Sequence, residues 1–104
     1  MDVKTVEKNT EAAAKILKAL SNERRLMIVC MLYEGEKSVG ALEEIIGLSQ
    51  SALSQHLARL RRDGVVKTRR DAQTIYYSLK SGEAEQLLSC LYDIYCEECQ
   101  QENS

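Results

Sequence analysis

The stretch between residues 49 and 80 constrains the fold of this chain more than any other part. Its first half places Leu53, Leu57 and Leu60 at i, i+4 and i+7, so one face of a short helix is apolar and must pack on a core. The opposite face carries hydrogen-bonding side chains. Gly64 follows where a helix can end in left-handed geometry. The pattern predicts a helix with one buried face and one polar face.

A basic segment follows that helix. Residues 65–70 and 74–79 look like two strands of a hairpin that turns near Asp71-Ala72-Gln73. The sequence therefore predicts a two-stranded ribbon directly after a polar-faced helix that opens at Ser49. This combination is typical of proteins that read a DNA major groove and contact the phosphates beside it.

The charge of the chain is uneven along its length. The formal net charge is −2, which by itself argues against DNA binding. Residues 49–80 nevertheless carry seven basic and two acidic side chains, whereas residues 81–104 carry six acidic side chains and no lysine or arginine. Positive charge thus coincides with the predicted helix and hairpin, and the acidic end is expected to lie away from DNA.

Helical spacing of apolar side chains predicts four further helices. They are residues 3–20, a second helix capped by Ser21-Asn22, the short stretch Val39–Ile46 after Ser38, and residues 81 to about 97, begun by Ser81. Residues 34–37 are interpreted as a helix break. The short third helix, a tight glycine turn and the helix after it have the spacing of a helix-turn-helix.

The predicted fold class is mainly α with a small β-hairpin wing, a winged helix-turn-helix in the order four helices, two strands, one helix. No repeat, linker or low-complexity segment divides residues 1–104, so a single domain is expected. The first helix carries an apolar strip through Val3, Val6, Ala13 and Leu17. From the residues alone, packing on a partner subunit and simple coverage of the chain's own core explain this strip equally well.

Four segments together resemble one known family. LKALSNERRLMIVCML, SQSALSQHLARLRRDGVV, RRDAQTIYYSL and LYDIYC are similar to the ArsR/SmtB family of small winged-helix repressors, and within it to the sulfide- and redox-responsive BigR/HlyU branch. The resemblance extends from about Ala13 to Cys96. It implies a homodimer joined through the first and last helices (about 3–20 and 82–97), which binds an imperfect palindrome in double-stranded DNA.

Eight side chains on the recognition helix and the wing are predicted to contact that DNA. They are Gln50, Ser51, Ser54, Gln55, His56, Arg59, Arg69 and Arg70. The glutamines and serines lie where a groove-inserted helix meets base edges, and the arginines are suited to phosphates. The histidine is included because the family motif has one near DNA at this place; otherwise a lone histidine beside an apolar stripe is usually a packed residue.

The four cysteines are not expected to form a structural disulfide framework, because the chain shows no signal-peptide pattern. Cys30 falls on the side of the second helix that also carries Leu26, Val29 and Tyr33, which is interpreted as buried. Spacing alone favours a core role for such a cysteine. The resemblance implies instead that Cys30 and Cys96 form a sensing pair, which reactive sulfur species or another oxidant would bridge. Bridging would weaken operator binding.

Metal sensing is the alternative function. In metal-sensing members of the family, a common site on the third helix has cysteines where this chain has Ser38 and Gly40. Another site, on the last helix, uses histidines, but His56 is the only histidine in this chain. No metal ligand is therefore predicted. A thiophilic site built from Cys90, Cys96 and Cys99 stays open as an alternative.

Catalysis has little support in the sequence. There is no Ser/His/Asp set, no phosphate-cradling glycine loop and no second histidine, so neither an enzyme nor a cofactor is expected. No apolar run is long enough to cross a bilayer, which makes the cytoplasm the simplest expected location.

Overall fold

The computed structural model describes residues 2–80 and 82–95. Its elements are α1 (Val3–Leu20), α2 (Glu23–Tyr33), β1 (Lys37–Ser38), α3 (Val39–Ile46), α4 (Gln50–Arg62), β2 (Val66–Asp71), β3 (Thr74–Leu79) and α5 (Gly82–Tyr95). Four helices thus precede a wing and a fifth helix follows it. The predicted mainly helical, winged helix-turn-helix architecture is confirmed.

The starts of the central helices follow from their capping residues. The Asn22 side chain accepts hydrogen bonds from the backbone N–H groups of Arg24 and Arg25 at 3.0 and 3.1 Å. Ser38 and Ser49 accept in the same way at the starts of α3 and α4. Each cap satisfies N–H groups that the first helical turn leaves without a partner.

The sheet contains one strand more than the sequence predicted. Lys37 pairs with Tyr77 and Ser38 with Tyr76, so the sheet is three-stranded and antiparallel in the order β1-β3-β2. The interpretation of residues 34–37 as a helix break alone is therefore incomplete. Two residues are too few for an alternation pattern to indicate a strand. The first wing strand also begins and ends one residue later than predicted, at Val66–Asp71.

The apolar face of α4 lies at the centre of the core. Leu53, Leu57 and Leu60 are at most 2% exposed. Burial of each such side chain contributes roughly 1.5–3 kcal/mol relative to leaving it in water. The core around them is completed by Ala19, Leu20, Ile28, Val29, Leu32, Leu42, Ile46, Val65, Val66, Leu79, Ala84 and Leu88. This packing fixes which face of α4 is left for solvent.

The predicted buried side of α2 is partly wrong. The core stripe of α2 runs through Ile28, Val29 and Leu32, whereas Cys30 and Tyr33 are exposed. Successive residues turn by about 100° around a helix, so Cys30 lies one step beyond the stripe. It faces the side where α5 packs.

Both terminal helices leave apolar side chains in solvent. Val3 and Leu17 of α1 are 70% and 54% exposed, and Ile94 and Tyr95 of α5 are 60% and 80% exposed. A single chain therefore leaves these stripes uncovered. Ser81, which was predicted to begin α5, and the predicted last residues of that helix lie outside the described residues.

Candidate DNA-binding interface and thiol site

The polar face of α4 is open to solvent at its N-terminal end. Gln50, Ser51, Ser54 and Gln55 are all exposed. They follow a tight turn in which Gly47 adopts a φ of 74°, a conformation that favours glycine. Because Leu53, Leu57 and Leu60 are buried in the core, these four side chains are left on the solvent side of α4.

An open groove separates α4 from the wing, and we call it the wing groove. Its walls include Gln50, Ser54, Arg61, Arg62, Ile75 and Tyr77. Arg70 pairs directly with Ile75 across the two long strands, so both side chains lie on the sheet face that looks toward α4. Arg70 is exposed on the same sheet face as Ile75, which lines the groove.

Arg69 lies on the opposite face of the sheet. Its Nε donates to both carboxylate oxygens of Glu36 at 3.0 Å, and its Nη2 donates to Oε1 at 2.8 Å. Its guanidinium carbon lies 4.4 Å from the ring centroid of Tyr76. The guanidinium of Arg69 lowers the pKa of the Glu36 carboxyl below its usual range, chiefly through the hydrogen bonds. Glu36 thus carries a full negative charge at neutral pH.

A second basic surface lies along the side of α4 that faces the start of α2. Arg25, His56, Arg59 and Arg62 line it. Arg59 Nε lies 3.0 Å from Asp63 Oδ2, which neutralises part of the charge. Partial burial, assisted by the charge of Arg25, lowers the pKa of His56 below its usual value. The imidazole of the DNA-free protein is therefore mainly neutral at neutral pH.

A cleft between α2 and α5 contains Cys30, and we call it the thiol cleft. Its other walls are mostly apolar and include Met31, Tyr33, Leu91, Tyr92 and Tyr95. The rings of Tyr33 and Tyr92 meet across it with their centroids 6.3 Å apart. The two helices are thus joined by side-chain packing at the level of Cys30.

Partial burial in the thiol cleft raises the pKa of the Cys30 thiol. The reactive form of cysteine is the thiolate, so Cys30 is held mainly as the less reactive thiol at neutral pH. Tyr95, the last described residue of α5, lines the same cleft. Cys96 itself lies outside the described residues, as does Cys99.

The sequence and the structure were compared with those of known proteins. Residues 22–68, which span α2 to the start of the wing, match the family model described as bacterial regulatory protein, arsR family. The transcriptional activator HlyU of Vibrio cholerae is 53% identical over 97 residues, which cover 93% of this chain and 90% of that protein. The chain belongs to the ArsR family.

Other ArsR-family relatives agree with this. The biofilm growth-associated repressor of Xylella fastidiosa is 50% identical over 88% of this chain and 80% of that protein. The structure of reduced HlyU from Vibrio cholerae superposes with a TM-score of 0.86 at 53% identity, covering 90% of this chain and 99% of that one. The predicted BigR/HlyU branch is thereby confirmed, and the chain is a DNA-binding transcriptional regulator rather than an enzyme.

A more distant ArsR-type structure bears on assembly. The winged helix-turn-helix domain of Mb0332 from Mycobacterium bovis superposes with a TM-score of 0.78 at 26% identity, covering 97% of this chain and 93% of that one, and that domain is described as homodimeric.

Within residues 2–80 and 82–95 of the present regulator, no helix is long and apolar enough to span a membrane. In the same residues no three or more His, Cys, Asp or Glu side chains lie together as a metal site.

The structure divides the predicted DNA-contact residues between two surfaces of α4 and the two faces of the wing. Gln50 and Ser54 line the wing groove, and Arg70 lies on the sheet face that looks toward it. Gln55, His56 and Arg59 line the second basic surface, and Ser51 is exposed on α4. Arg69 lies on the other face of the sheet. Two partners of Arg69 were not predicted, Glu36 and Tyr76. No sequence signal could have indicated Glu36, because 33 residues separate it from Arg69. Of the alternative metal set, Cys90 alone lies within the described residues, where it is exposed on α5.

Proposed function

We propose that this chain is a homodimeric cytoplasmic repressor whose operator binding is weakened when Cys30 and Cys96 become linked. The observation that carries the proposal is the placement of Cys30 in a cleft with Tyr95, the residue before Cys96. A covalent link between the two cysteines would tie α2 to the end of α5. Helix α2 packs on α4, so a shift of α2 is transmitted to the helix that enters DNA.

The proposed DNA contacts use the exposed face of α4 and the wing. Gln50, Ser51, Ser54 and Gln55 meet base edges, because their amide and hydroxyl groups suit hydrogen bonding in the major groove. Arg59 and Arg70 contact phosphates, and His56 adds a hydrogen bond beside them. Two recognition helices in a dimer would contact half-sites about one helical turn, roughly 34–36 Å, apart.

The proposed dimer is joined through α1 and α5. Both helices carry exposed apolar stripes in the single chain, and burial of apolar surface is what drives association of such stripes. Helix α5 itself carries acidic side chains, Glu83, Glu85 and Asp93, and no lysine or arginine, in contrast with the basic wing.

The proposed thiol reaction is a sequence of two exchanges with an organic persulfide. One cysteine thiolate attacks the terminal sulfur of the persulfide, and the organic thiol leaves with the proton. The new protein persulfide is then attacked by the second cysteine thiolate, which forms the protein disulfide and releases hydrogen sulfide. Addition of further sulfur atoms before the second exchange would give a longer bridge with the same two ends.

The test is operator affinity before and after treatment with an organic persulfide. The DNA is a palindromic fragment selected from a random library by the reduced protein. We expect treated wild-type protein to bind this fragment about 5- to 150-fold more weakly, the usual size of allosteric coupling, and a dithiol reductant to restore affinity. The variants C30S and C96S should bind DNA when reduced and should not respond to the persulfide.

Cys90→Ser is the matched control, since it removes an exposed thiol of α5 that the proposal does not use. It should respond as wild type does. Loss of the response in C90S, together with stoichiometric thiophilic metal binding that needs Cys90, Cys96 and Cys99, would replace the proposed thiol pair with the metal-sensing alternative. A response that persists in C30S would also contradict the proposal.

A further inference from the structure

The two neighbouring arginines of the wing face opposite directions. Val66, Thr68 and Arg70 alternate with Lys67 and Arg69 along β2, and Val66 is buried in the core. Side chains two residues apart share a face, so Arg70 continues the core-facing row toward the wing groove. Arg69 cannot reach that groove without a turn of the strand.

On the outer face of the sheet, Arg69 contacts residues on or next to the other two strands. Arg69 on β2 pairs directly with Tyr76 on β3, and Tyr76 in turn pairs with Ser38 on β1. The Arg69 side chain passes over the Tyr76 ring at 4.4 Å and ends on the carboxylate of Glu36, just before β1. All three hydrogen bonds to Glu36 are 3.0 Å or shorter.

We infer that Arg69 is a positioning residue for the wing rather than a DNA ligand. Its bidentate pair with Glu36 fastens β2 to the turn that leads into α3, and a bidentate geometry fixes orientation as well as distance. Helix α3 is joined to α4 by the short turn at residues 47–49. The Glu36–Arg69 pair therefore sets the distance between the wing, with Arg70 at its groove face, and the recognition helix.

This inference rests on the proposed contact between Arg70 and a phosphate, and it replaces the sequence-based expectation that Arg69 shares that role. It makes a distinctive prediction about Glu36. If Arg69 positions the wing, removing the Glu36 charge should weaken DNA binding. If Arg69 instead binds phosphate, the same change should strengthen binding, because a negative charge near DNA is removed and the arginine is released.

The experiment is a double-mutant cycle between Glu36 and Arg70, which make no contact with each other. Affinity for the selected operator fragment is measured over a range of salt concentrations for wild type, E36Q, R70A and the double variant. We expect E36Q to weaken binding roughly two- to fivefold, as befits an exposed ion pair. R70A should weaken binding to all DNA and reduce the salt slope by about two in a dimer, one phosphate per subunit.

The positioning role predicts that the two changes are not additive. In the E36Q background Arg70 is already displaced, so R70A should cost less than it does in wild type. A general loss of stability would instead make the changes additive, and thermal denaturation of E36Q checks that the fold is retained. R69Q should match E36Q both in affinity and in salt slope, because each change breaks the same pair and acts through the displacement of Arg70.

Glu34→Gln is the matched control. Glu34 lies at the same turn with its side chain 65% exposed, and it makes only a 4.0 Å ion pair with Lys37. E34Q removes one negative charge, as E36Q does, without loosening the wing. Its affinity for DNA should therefore equal that of wild type or be slightly higher. Tighter binding by E36Q, or full additivity of E36Q with R70A, would overturn the inference. No effect of R70A itself would instead overturn the proposed wing contact with DNA.

Discussion

At the scale of single residues, Cys30 combines accessibility with a raised pKa. Its side chain reaches solvent, yet partial burial in the thiol cleft disfavours the thiolate. We predict that the alkylation rate of Cys30 rises with pH and is still rising above pH 9.0, the ordinary pKa of a cysteine thiol. The measurement is iodoacetamide labelling of reduced protein followed by peptide mapping, with Cys90 as the internal comparison. A Cys30 rate that reaches its plateau below that pH would contradict the prediction.

The turn of the wing contains the one strained residue in the described backbone. Ala72 has a φ of 57°, which costs an L-residue about 1–2 kcal/mol and costs glycine nothing sterically. We predict that A72G stabilises the protein by about 0.5–1 kcal/mol, since the greater chain entropy of glycine offsets part of the relief. Chemical denaturation measures this change. Gln73→Gly is the control, because Gln73 has no positive φ, and an equal gain there would contradict the explanation.

At the scale of elements, the start of α2 depends on one side chain. Asn22 caps two N–H groups of the first turn, and Arg25 in that turn donates to the carbonyl oxygens of Lys18 and Ala19 at the end of α1 at 3.3 and 2.7 Å. We predict that N22A lowers the free energy of unfolding by about 0.5–2 kcal/mol, the usual effect of losing an N-cap. Ser21→Ala is the control, as the Ser21 side chain makes no cap bond, and it should be close to neutral.

Local signals account for the elements that the sequence predicted well. The bounds of α1 and α3 agree with the prediction because apolar spacing, Ser38 and the glycine turn are all read within one or two helical turns. Strand β1 was missed because it is defined only by pairing with Tyr76 and Tyr77, far along the chain. The exposure of Cys30 was missed for a related reason, since helical spacing cannot tell the core stripe from a flank that faces another helix.

At the scale of the whole molecule, the exposed stripes of α1 and α5 are the proposed dimer interface. We predict that Leu17→Glu converts the proposed dimer into a monomer, because it places a charge on a side chain that is 54% exposed in a single chain and that the proposed interface would bury. Analytical ultracentrifugation measures the change. Ile45→Glu is the control, since Ile45 of α3 is similarly exposed at 46% but lies outside both terminal helices. A monomeric wild type, or a dimer that persists in L17E, would contradict the proposed interface.

The distribution of charge over the whole molecule could be predicted from the sequence, but the division of labour within it could not. Counting residues locates the positive charge on α4 and the wing. Only the fold shows that Arg69 pairs with Glu36, so one arginine fewer is available to phosphates than the count suggests. The strength of phosphate binding therefore depends on which arginines already have an acidic partner.

Whether Cys30 and Cys96 react as a pair is tested by intact mass together with peptide mapping. Reduced protein is treated with an organic persulfide, digested without reduction and analysed by mass spectrometry. We expect a loss of two hydrogens, with or without added sulfur atoms, in a linked peptide that contains both Cys30 and Cys96. Separate modification of the two cysteines without any link, or a link that joins Cys96 to Cys99 instead, would contradict it.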